Sequence, residues 1–542
     1  MSGRRCASVQ RRVSGGLPPY FVLNKTVVTQ QAPPVPFSHR QIVIIFTGLM
    51  AGLFLAALDQ TIVATALPTI VGELGGLDYY SWVVTAYLLS STVCTPIYGK
   101  LSDIYGRRIT FQVAVLVFLL GSLLAGIAPG MVELVFARSV QGVGAGGVMA
   151  LTFAVVGDIV SPRQRGRYIG YLAGIWAFAS VIGPLAGGFI VDTTTWRWVF
   201  LINLPIGLVA FAIISKVLRL PGATRRTRID VVGAGLLSLG VSLLLLALVW
   251  GGTEYAWRSA VIVGLLICGT LVTGTFVWWE NRTEAPLLPL RLFQNRIFSI
   301  SSGLGFLIGF ALFGGVVFLP LFLQVVNGVS ATNSGLLILP LTAGIVSGSV
   351  GSGRLTTSTG RYRVFPIVGS GLSVVGMYLL SLMHAETPRL VSSAYMLILG
   401  LGVGMVLQVS LLAVQNAVEH RDLGIATSSA QFFRSMGGAF GVAIFGAIMN
   451  ARLLIELPAR IPTDALVGIG GDVMTLLNSP AEIRALPVEV AAGIAVSLEV
   501  AIQSVFFWAM PLMVVAFVLS WWLDEIPLRE TVGAALPVDG IE

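Results

Sequence analysis

Residues 99–108 read GKLSDIYGRR and recur 254 positions later as GRLTTSTGRY at residues 353–362. Each copy follows a long uncharged run, as expected for a loop that leaves an apolar helix. A second set recurs at an offset of 258, in which Arg163, Gly166 and Gly183 return as Arg421, Gly424 and Gly441. Repeats at a nearly constant offset indicate a chain built from two homologous halves.

The composition is that of a membrane protein. Of the 542 residues, 56% are hydrophobic and 11% are charged, whereas a soluble domain has about 25% charged residues. Glycine, with 63 residues, is abundant, as in closely packed transmembrane helices. Cys6, Cys94 and Cys268 lie too far apart for a disulfide framework or a metal motif, so no metal site is expected. The basic residues stand singly between apolar runs, which argues against a nucleic-acid surface.

The uncharged runs predict fourteen membrane-spanning helices. A spanning helix needs roughly 20 apolar residues. Ten runs qualify, at residues 79–99, 109–132, 139–157, 168–191, 198–215, 231–253, 259–279, 364–385, 390–418 and 500–523. The run 297–353 is long enough for two helices separated by a polar turn near residues 324–334. Two more runs contain one charge each, Asp59 and Arg434.

Basic residues predict the orientation. With both termini in the cytoplasm, 25 of the 33 Lys and Arg residues lie in cytoplasmic segments, as the positive-inside rule requires. Helices 1–6 then correspond to helices 9–14, and helices 7 and 8 form an insertion between parallel repeats. The predicted parts are a disordered cytoplasmic tail (1–40), a six-helix bundle (41–219), the inserted helices with flanking loops (220–295), a second six-helix bundle (296–523) with an extracytoplasmic segment (451–500), and a cytoplasmic tail (524–542).

Six segments together resemble the major facilitator superfamily, and within it the fourteen-helix drug:proton antiporter branch, over nearly all of residues 41–523. Besides residues 99–108, the similar segments are LDQTIVATALP (58–68), RSVQGVGAGG (138–147), Gly170 with GPLAGG (183–188), WRWVFLINLPIG (196–207) and QFFRSMGG (431–438). The resemblance implies an all-α membrane fold of two six-helix bundles plus two inserted helices, working by alternating access. It also implies a monomer in the plasma (inner) membrane, without a cofactor, that exports lipophilic molecules, expected to be cations, in exchange for protons.

Asp59 and Arg138 are the candidates for proton coupling. Asp59 lies well inside a predicted span, where burial disfavours its charged form and a nearby cation favours that form. In the family the matching acid is implicated in proton coupling, and the helix 4 arginine belongs to the proton-relay motif. Arg138 is the natural partner of Asp59. The alternative is a structural salt bridge that holds helices together.

The resemblance assigns a conformational latch to the loop after helix 2. Its expected members are Gly99, Asp103, Gly106, Arg107, Arg108 and Asp158. The second copy has Thr357 in place of Asp103 and is expected to lack the latch. Charges that serve only membrane topology are the alternative, but acidic residues contribute little to orientation.

The helix 5 motif is the family's mark of an antiporter, where it seals the pathway against leak. It comprises Gly170, Gly183, Pro184, Gly187 and Gly188. This chain has Ala179 where the fuller pattern has glycine. Tight helix packing alone is the alternative interpretation.

Amphipathic and aromatic residues in the spans are candidates for the substrate cavity, because such walls suit bulky lipophilic cations. They are Gln60, Trp82, Tyr87, Trp176, Phe178, Gln408, Phe432, Phe433 and Arg434. For each of them lipid contact or core packing is the alternative. For Arg434, which has no assigned acid partner, the choice is between hydrogen bonds to backbone carbonyls and shaping the cavity.

Other functions remain to be distinguished. An exporter of one endogenous metabolite or lipid, or a proton symporter, is the nearest alternative. A membrane enzyme is disfavoured because the three histidines, His39, His384 and His420, are mutually remote in sequence. The glycines at residues 142–147 lie in a predicted membrane helix without a preceding strand, so they do not form a nucleotide loop. A channel is disfavoured by the repeat and the latch.

Overall fold

The computed structural model describes residues 38–74, 80–218, 230–252, 255–284, 286–329, 331–419, 422–461 and 486–529. Several predicted features fall on other residues: most of the N-terminal tail, Arg421 and His420, residues 462–485, and the C-terminal tail after residue 529. These lie outside the described residues. Within them the chain is helical apart from turns, loops and one isolated bridge between Gly251 and Tyr255.

The first half contains seven helical segments. They are α1 (His39–Leu74), α2 (Tyr80–Tyr105), α3 (Arg107–Gly126), α4 (Met131–Ile159), α5 (Pro162–Thr193), α6 (Trp198–Leu201) and α7 (Asn203–Val217). The short α6 and α7 follow each other directly and together fill the place of the sixth predicted span. The inserted pair is α8 (Val231–Trp250) and α9 (Ala260–Glu280), which pack against each other.

The second half has the same arrangement. Its helices are α10 (Arg296–Leu321), α11 (Ala331–Leu337), α12 (Leu339–Thr359), α13 (Val364–Ser381), α14 (Arg389–Ala417), α15 (Leu423–Arg460) and α16 (Val488–Ser520). A π-helical turn at Phe322–Val326 follows α10, where the sequence predicts a break between two spans. Residues 451–460 continue α15 and residues 488–500 begin α16, so these parts of the predicted extracytoplasmic segment are helical.

Twelve helices in the described ranges are long and apolar enough to cross a membrane. The predicted all-α membrane fold is thereby confirmed. The predicted second and ninth spans form 26-residue helices, α2 and α10, that are not among the twelve. The total of fourteen spans, and the side of the membrane on which the termini lie, therefore stay predictions.

The two halves repeat the same packing. In the first half α1 packs against α5, α2 and α3 pack against α4, and α1 packs against α7. At the corresponding positions α10 packs against α15, α12 and α13 pack against α14, and α10 packs against α16. The inserted helix α8 contacts α2 and α15, one helix from each half. The internal repeat read from the loops is thus a repeat of the whole bundle.

Glycines in the fourth helix of each half allow this packing. A Cβ at Gly146 would stand 2.2 Å from the Ser91 carbonyl oxygen of α2. Its counterpart 258 positions later, Gly404, would meet the Ile345 carbonyl oxygen of α12 at the same distance. Gly142 and Gly400, one helical turn earlier, make equivalent close contacts. Only glycine permits such backbone approach.

Gly146→Val tests this packing. Valine should destabilise the first half, because overpacking costs about 1–3 kcal/mol and here the obstacle is backbone. Thermal unfolding of the purified protein in detergent measures the loss. Gly174→Val is the matched control, because a Cβ there has no atom within 4 Å. An unchanged melting temperature for Gly146→Val would contradict the packing argument.

Candidate functional site

A buried ion pair joins α1 to α4. The Arg138 Nη1 lies 2.6 Å from the Asp59 Oδ2, and neither side chain is exposed by more than 2%. The predicted pairing of these two residues is therefore present. Two charges can be buried at this depth because each neutralises the other and the remaining polar atoms find hydrogen bonds.

Amides complete the shell of Asp59. Its Oδ1 accepts hydrogen bonds from Gln141 Nε2 at 2.7 Å and from Asn203 Nδ2 at 2.8 Å. Both amides also donate to the Ser122 hydroxyl, at 2.7 and 3.3 Å. Asp59, Gln141, Asn203 and Ser122, all with 0% exposure, thus connect four helices, α1, α3, α4 and α7. We call these residues with Arg138 the polar network.

Arg138 is held on every side. Its Nη1 also donates to Gln141 Oε1 at 2.6 Å, and its Nε donates to the Val83 carbonyl at 3.2 Å. The guanidinium carbon lies 4.2 Å from the ring centroid of Tyr87, a cation–π contact. The Tyr87 hydroxyl in turn donates to the Ala56 carbonyl of α1 at 3.2 Å. The polar network is therefore a buried and extensively bonded unit, in which the Asn203 Oδ1 is the one buried oxygen without a hydrogen-bond partner among the described residues.

Arg107 forms ion pairs with two other residues of the predicted latch, whose role as a latch stays a prediction. Its Nε donates to Asp158 Oδ2 at 2.7 Å and its Nη1 to Asp103 Oδ1 at 2.6 Å. Arg107 also donates to the Ser102 hydroxyl. Gly106 permits this geometry, since its φ of 87° turns the chain from α2 into α3. Gly360, at the same place in the repeat, has a φ of 73°.

Repeat-related glycines bring the two halves together at the face that carries these loops, which we call the loop face. A Cβ at Gly166 of α5 would lie 2.5 Å from the Gly353 carbonyl oxygen of α12. In the mirrored contact, Gly99 of α2 meets Ser428 and Gly424 of α15, and Gly424 in turn lies against Asp103 and Arg107. Gly99 and Gly353 are repeat counterparts, and so are Gly166 and Gly424. The contact of Gly166 with Gly353 is therefore repeated as the contact of Gly424 with Gly99.

Hydrogen bonds between the halves add to this closure. Gln408 Nε2 donates to the Gly166 carbonyl at 2.9 Å, and Gln415 Nε2 donates to the Phe153 carbonyl at 3.2 Å. Arg165 Nη1 donates to the Gln415 carbonyl at 3.3 Å. All three donors are buried. The loop face is closed in this structure.

The segment 286–295, between the inserted helices and α10, crosses the loop face. Lys100 of α2 donates to the Pro286 carbonyl at 2.9 Å. Arg291 Nη2 pairs with Asp422 Oδ1 at 2.8 Å, and Asn295 Nδ2 donates to the Ala417 carbonyl at 3.0 Å. We call this segment the bridge, because it is bonded to the first half at one end and to the second half at the other.

Residues 524–529, predicted as part of a cytoplasmic tail, also lie against the loop face. The Tyr362 hydroxyl donates to the Asp524 carbonyl at 2.9 Å and accepts from the Ile526 amide at 3.2 Å. Burial raises the pKa of Tyr362 to about 12, so this hydroxyl stays a donor at neutral pH. Asn416 Nδ2 donates to the Pro527 carbonyl at 3.1 Å. The segment is therefore bonded to the loop between α12 and α13 and to the end of α14.

The helix 5 motif divides between the two sides of α5. Gly183 and Gly187 lie against Thr61 and Ile62 of α1, and Gly170 lies against Val350 of α12. Pro184 lies inside the helix, and a Cβ at Gly188 would have no atom within 4 Å. The glycines of the motif thus allow close helix contacts both within the first half and between the two halves. A role in preventing leak stays a prediction.

The candidate cavity residues are spread over several surroundings. Tyr87 lies against Arg138 of the polar network, and Gln408 donates a hydrogen bond across the closed loop face. Trp82 packs its ring against Trp250 of α8 at 5.4 Å, and Phe432 is buried beside the inserted helices. Partly exposed residues among the candidates are Gln60, Trp176, Phe433 and Arg434, and Phe178 is exposed. Their part in substrate binding stays a prediction.

Sequence reasoning did not assign Gln141, Asn203 and Ser122. Gln141 and Asn203 lie within two of the quoted segments, three positions after Arg138 and seven after Trp196. An uncharged polar residue one helical turn from a buried arginine was the available signal for Gln141. Ser122 carried no such signal, because serines are common in membrane helices and bond to their own backbone.

Gly353→Val should open the loop face, because the added methyl groups would meet the backbone of Gly166. Gly351→Val on the same helix is the matched control, since a Cβ there has no atom within 4 Å. Spin labels at the exposed positions Tyr105→Cys and Leu355→Cys, in a chain with its native cysteines replaced by serine, report the separation by pulsed electron resonance. We expect a longer mean distance only with Gly353→Val. The same distance in both variants would contradict this closure.

The sequence of the chain is similar to those of known membrane transporters. The family model described as Major Facilitator Superfamily matches residues 49–442. An uncharacterised MFS-type transporter of Mycobacterium tuberculosis is 40% identical over 487 residues, which are 90% of this chain and 70% of that protein. The multidrug transporter protein MdtP of Bacillus subtilis is 37% identical, over 90% of this chain and 93% of its own. The MFS-type efflux pump LUC4 of Fusarium is 34% identical, over 92% and 91%.

Solved structures show the same fold. A double tryptophan mutant of the transporter XylE aligns with a TM-score of 0.61 at 14% identity, covering 92% of this chain and 98% of that one. A bacterial homologue of the human lysosomal transporter Spinster aligns with a TM-score of 0.58 at 15% identity, covering 90% and 98%. At these identities the likeness concerns the fold alone.

Proposed function

The chain belongs to the major facilitator superfamily, and we propose that it is a proton-coupled antiporter that exports lipophilic small molecules across the plasma membrane. It is a multi-pass membrane transporter rather than an enzyme, and relatives of similar length are named as multidrug transporters and efflux pumps. Export, proton coupling and the plasma membrane are the proposed parts. In this proposal the loop face is cytoplasmic and the transporter is a monomer.

The polar network is the observation that carries the proposal. Asp59 is a carboxylate inside the membrane-spanning bundle, and its charge is compensated by Arg138 at 2.6 Å. Protonation of Asp59 removes that compensation and frees Arg138, so the network has two electrostatic states that differ by one proton. A group of this kind carries a proton across when water reaches it from opposite sides in two conformations.

The latch provides the second conformational element. Arg138 and Asp158 lie on the same helix, α4, separated by 20 residues and hence by about 30 Å. A shift of α4 relative to α1 would therefore also shift Asp158 relative to Arg107. We infer that the proton state of Asp59 biases the closed loop face through this helix, which is a coupling between two distant sites.

The polar network does not provide a binding site for the cationic substrates that the sequence predicts. Asp59 has 0% exposure and both of its oxygens accept hydrogen bonds, so a cation has no access to it in this conformation. Competition between substrate and proton would require another conformation. The proposal therefore specifies lipophilic molecules and assigns the coupling, not the substrate contact, to Asp59.

Asp59→Asn is expected to lower the stability of the protein while leaving it folded, and to abolish proton-driven export, because asparagine has no carboxyl group that can bind and release a proton. The measurement uses inside-out vesicles and a pH-sensitive dye after a proton gradient is set and a lipophilic substrate is added. Asp524→Asn serves as the control, since that side chain is 50% exposed and lies 3.6 Å from its arginine partner. Normal export by Asp59→Asn would overturn the coupling role.

Asp103→Ala tests the latch. We expect turnover to fall on the order of tenfold with little change in substrate affinity, because conformational couplings are typically 1–3 kcal/mol. Thr357→Ala at the corresponding position of the repeat is the matched control. The Thr357 hydroxyl donates to the Gly353 carbonyl at 2.8 Å. Initial transport rates against substrate concentration separate the two effects, and a large loss of affinity would instead place Asp103 at the binding site.

A further inference from the structure

Arg434 lies in the middle of the protein rather than at a helix end. It is 11 residues from the start of α15, which corresponds to a depth of about 16 Å from the loop face. Residues 423–432, below it, are all buried in the closed contact, and Arg434 is partly exposed. Arg434 therefore stands at the level where the closed contact ends and α15 becomes accessible.

The direction of the side chain follows from the neighbours of α15. Gly437 and Gly441 contact α10, whereas Gly424 and Ser428 contact the first half. With 100° per residue, Arg434 lies between these two faces of the helix. A Cβ at Gly305 of α10 would meet only the Arg434 Cβ at 4.0 Å and the Ala430 carbonyl oxygen at 3.9 Å. One turn further along α10, a Cβ at Gly309 would stand 2.2 Å from the Arg434 carbonyl oxygen, so α10 packs closely against the backbone of Arg434 there and more loosely beside its side chain at Gly305.

Arg434 contrasts with Arg138, the other arginine inside a span. Arg138 has a carboxylate, an amide and a carbonyl as acceptors. For Arg434 the described part of the chain provides neither an acidic partner nor a hydrogen-bond acceptor. An intramembrane cation is costly unless it is paired or faces an accessible cavity. Arg434 is partly exposed, so its donors are available to a bound molecule.

We propose that Arg434 binds an acidic group, such as a carboxylate, on the transported molecule. A guanidinium presents a planar set of donors that matches a carboxylate with two parallel hydrogen bonds. Aromatic rings of Phe306, Phe440 and Phe433 on α10 and α15 offer apolar surface nearby for the rest of such a molecule. This inference rests on the proposed export of lipophilic molecules and narrows it to those that carry an acid.

A pair of dyes with one ring system and opposite charge tests the inference. Fluorescein carries a carboxylate, and rhodamine 123 is a cation with the same xanthene ring. Binding of each dye to the purified full-length protein in lipid nanodiscs is measured by fluorescence polarisation, with empty nanodiscs as the blank. The variants are Arg434→Gln, which removes the charge, and Arg434→Lys, which keeps it. Arg452→Gln on the same helix is the control, because Arg452 pairs with Glu456 at 2.9 Å.

We expect Arg434→Gln to weaken fluorescein binding on the order of tenfold or more, with rhodamine 123 binding unchanged. Arg434→Lys should recover part of the affinity, and Arg452→Gln should match the wild type. Equal fluorescein binding by wild type and Arg434→Gln would overturn the inference, and so would a wild type that binds only rhodamine 123 or neither dye. If Arg434→Gln does not fold, binding of both dyes will weaken together. The comparison of Arg434→Lys with the wild type then decides the outcome.

Transport of the same dyes separates this inference from the proposed function. Arginine-dependent fluorescein binding without proton-driven movement of the dye in vesicles would contradict the antiporter and support the acid site. If rhodamine 123 is exported in a proton-driven manner at the same rate in the wild type and in every Arg434 variant, and fluorescein is not exported, the result would support the antiporter and contradict binding of an acidic group by Arg434.

Discussion

The pairing of Asp59 with Arg138 is the constraint on which the first half of the molecule depends. A carboxylate and a guanidinium with almost no exposure are tolerable only together, and removal of one partner of such a pair costs about 3–5 kcal/mol. The pair therefore fixes α1 against α4. The amides of Gln141 and Asn203 then fix the positions of α4 and α7 around the same carboxylate.

The helix that carries Arg138 also carries Asp158, and close backbone packing makes it stiff. Glycines of α4 let α2 and α3 approach backbone to backbone, which leaves α4 little room to bend between Arg138 and Asp158. In the proposed coupling, a charge change beside Arg138 would displace Asp158 at the other end of this helix. At the loop face, glycines let the two halves touch backbone to backbone, and buried hydrogen bonds from Gln408, Gln415 and Arg165 join them.

The sequence predicted most of this arrangement, because its signals were local or periodic. Apolar runs revealed the helices, and the loop repeats at offsets of 254 and 258 revealed the halves. The family resemblance gave the latch, and the pairing of Asp59 and Arg138 followed from their being buried and opposite in charge. Ser122 and Asn203 were missed because their hydrogen-bond partners are remote in sequence, so their role in the polar network cannot be recognised from neighbouring residues. Residues 524–529 were missed because their contacts are with Tyr362 and Asn416, which are remote from them in sequence.

The bridge at residues 286–295 gives the inserted helices a mechanical consequence. Because it is bonded to α2 through Lys100 and to the loop before α15 through Arg291, the two bundles cannot separate at the loop face while both attachments persist. The proposed rocking of the bundles would have to break one of these attachments, and the inserted helices would then move with the bundle that keeps the other. In the proposed transport cycle, the attachment that persists would determine which bundle carries the two inserted helices.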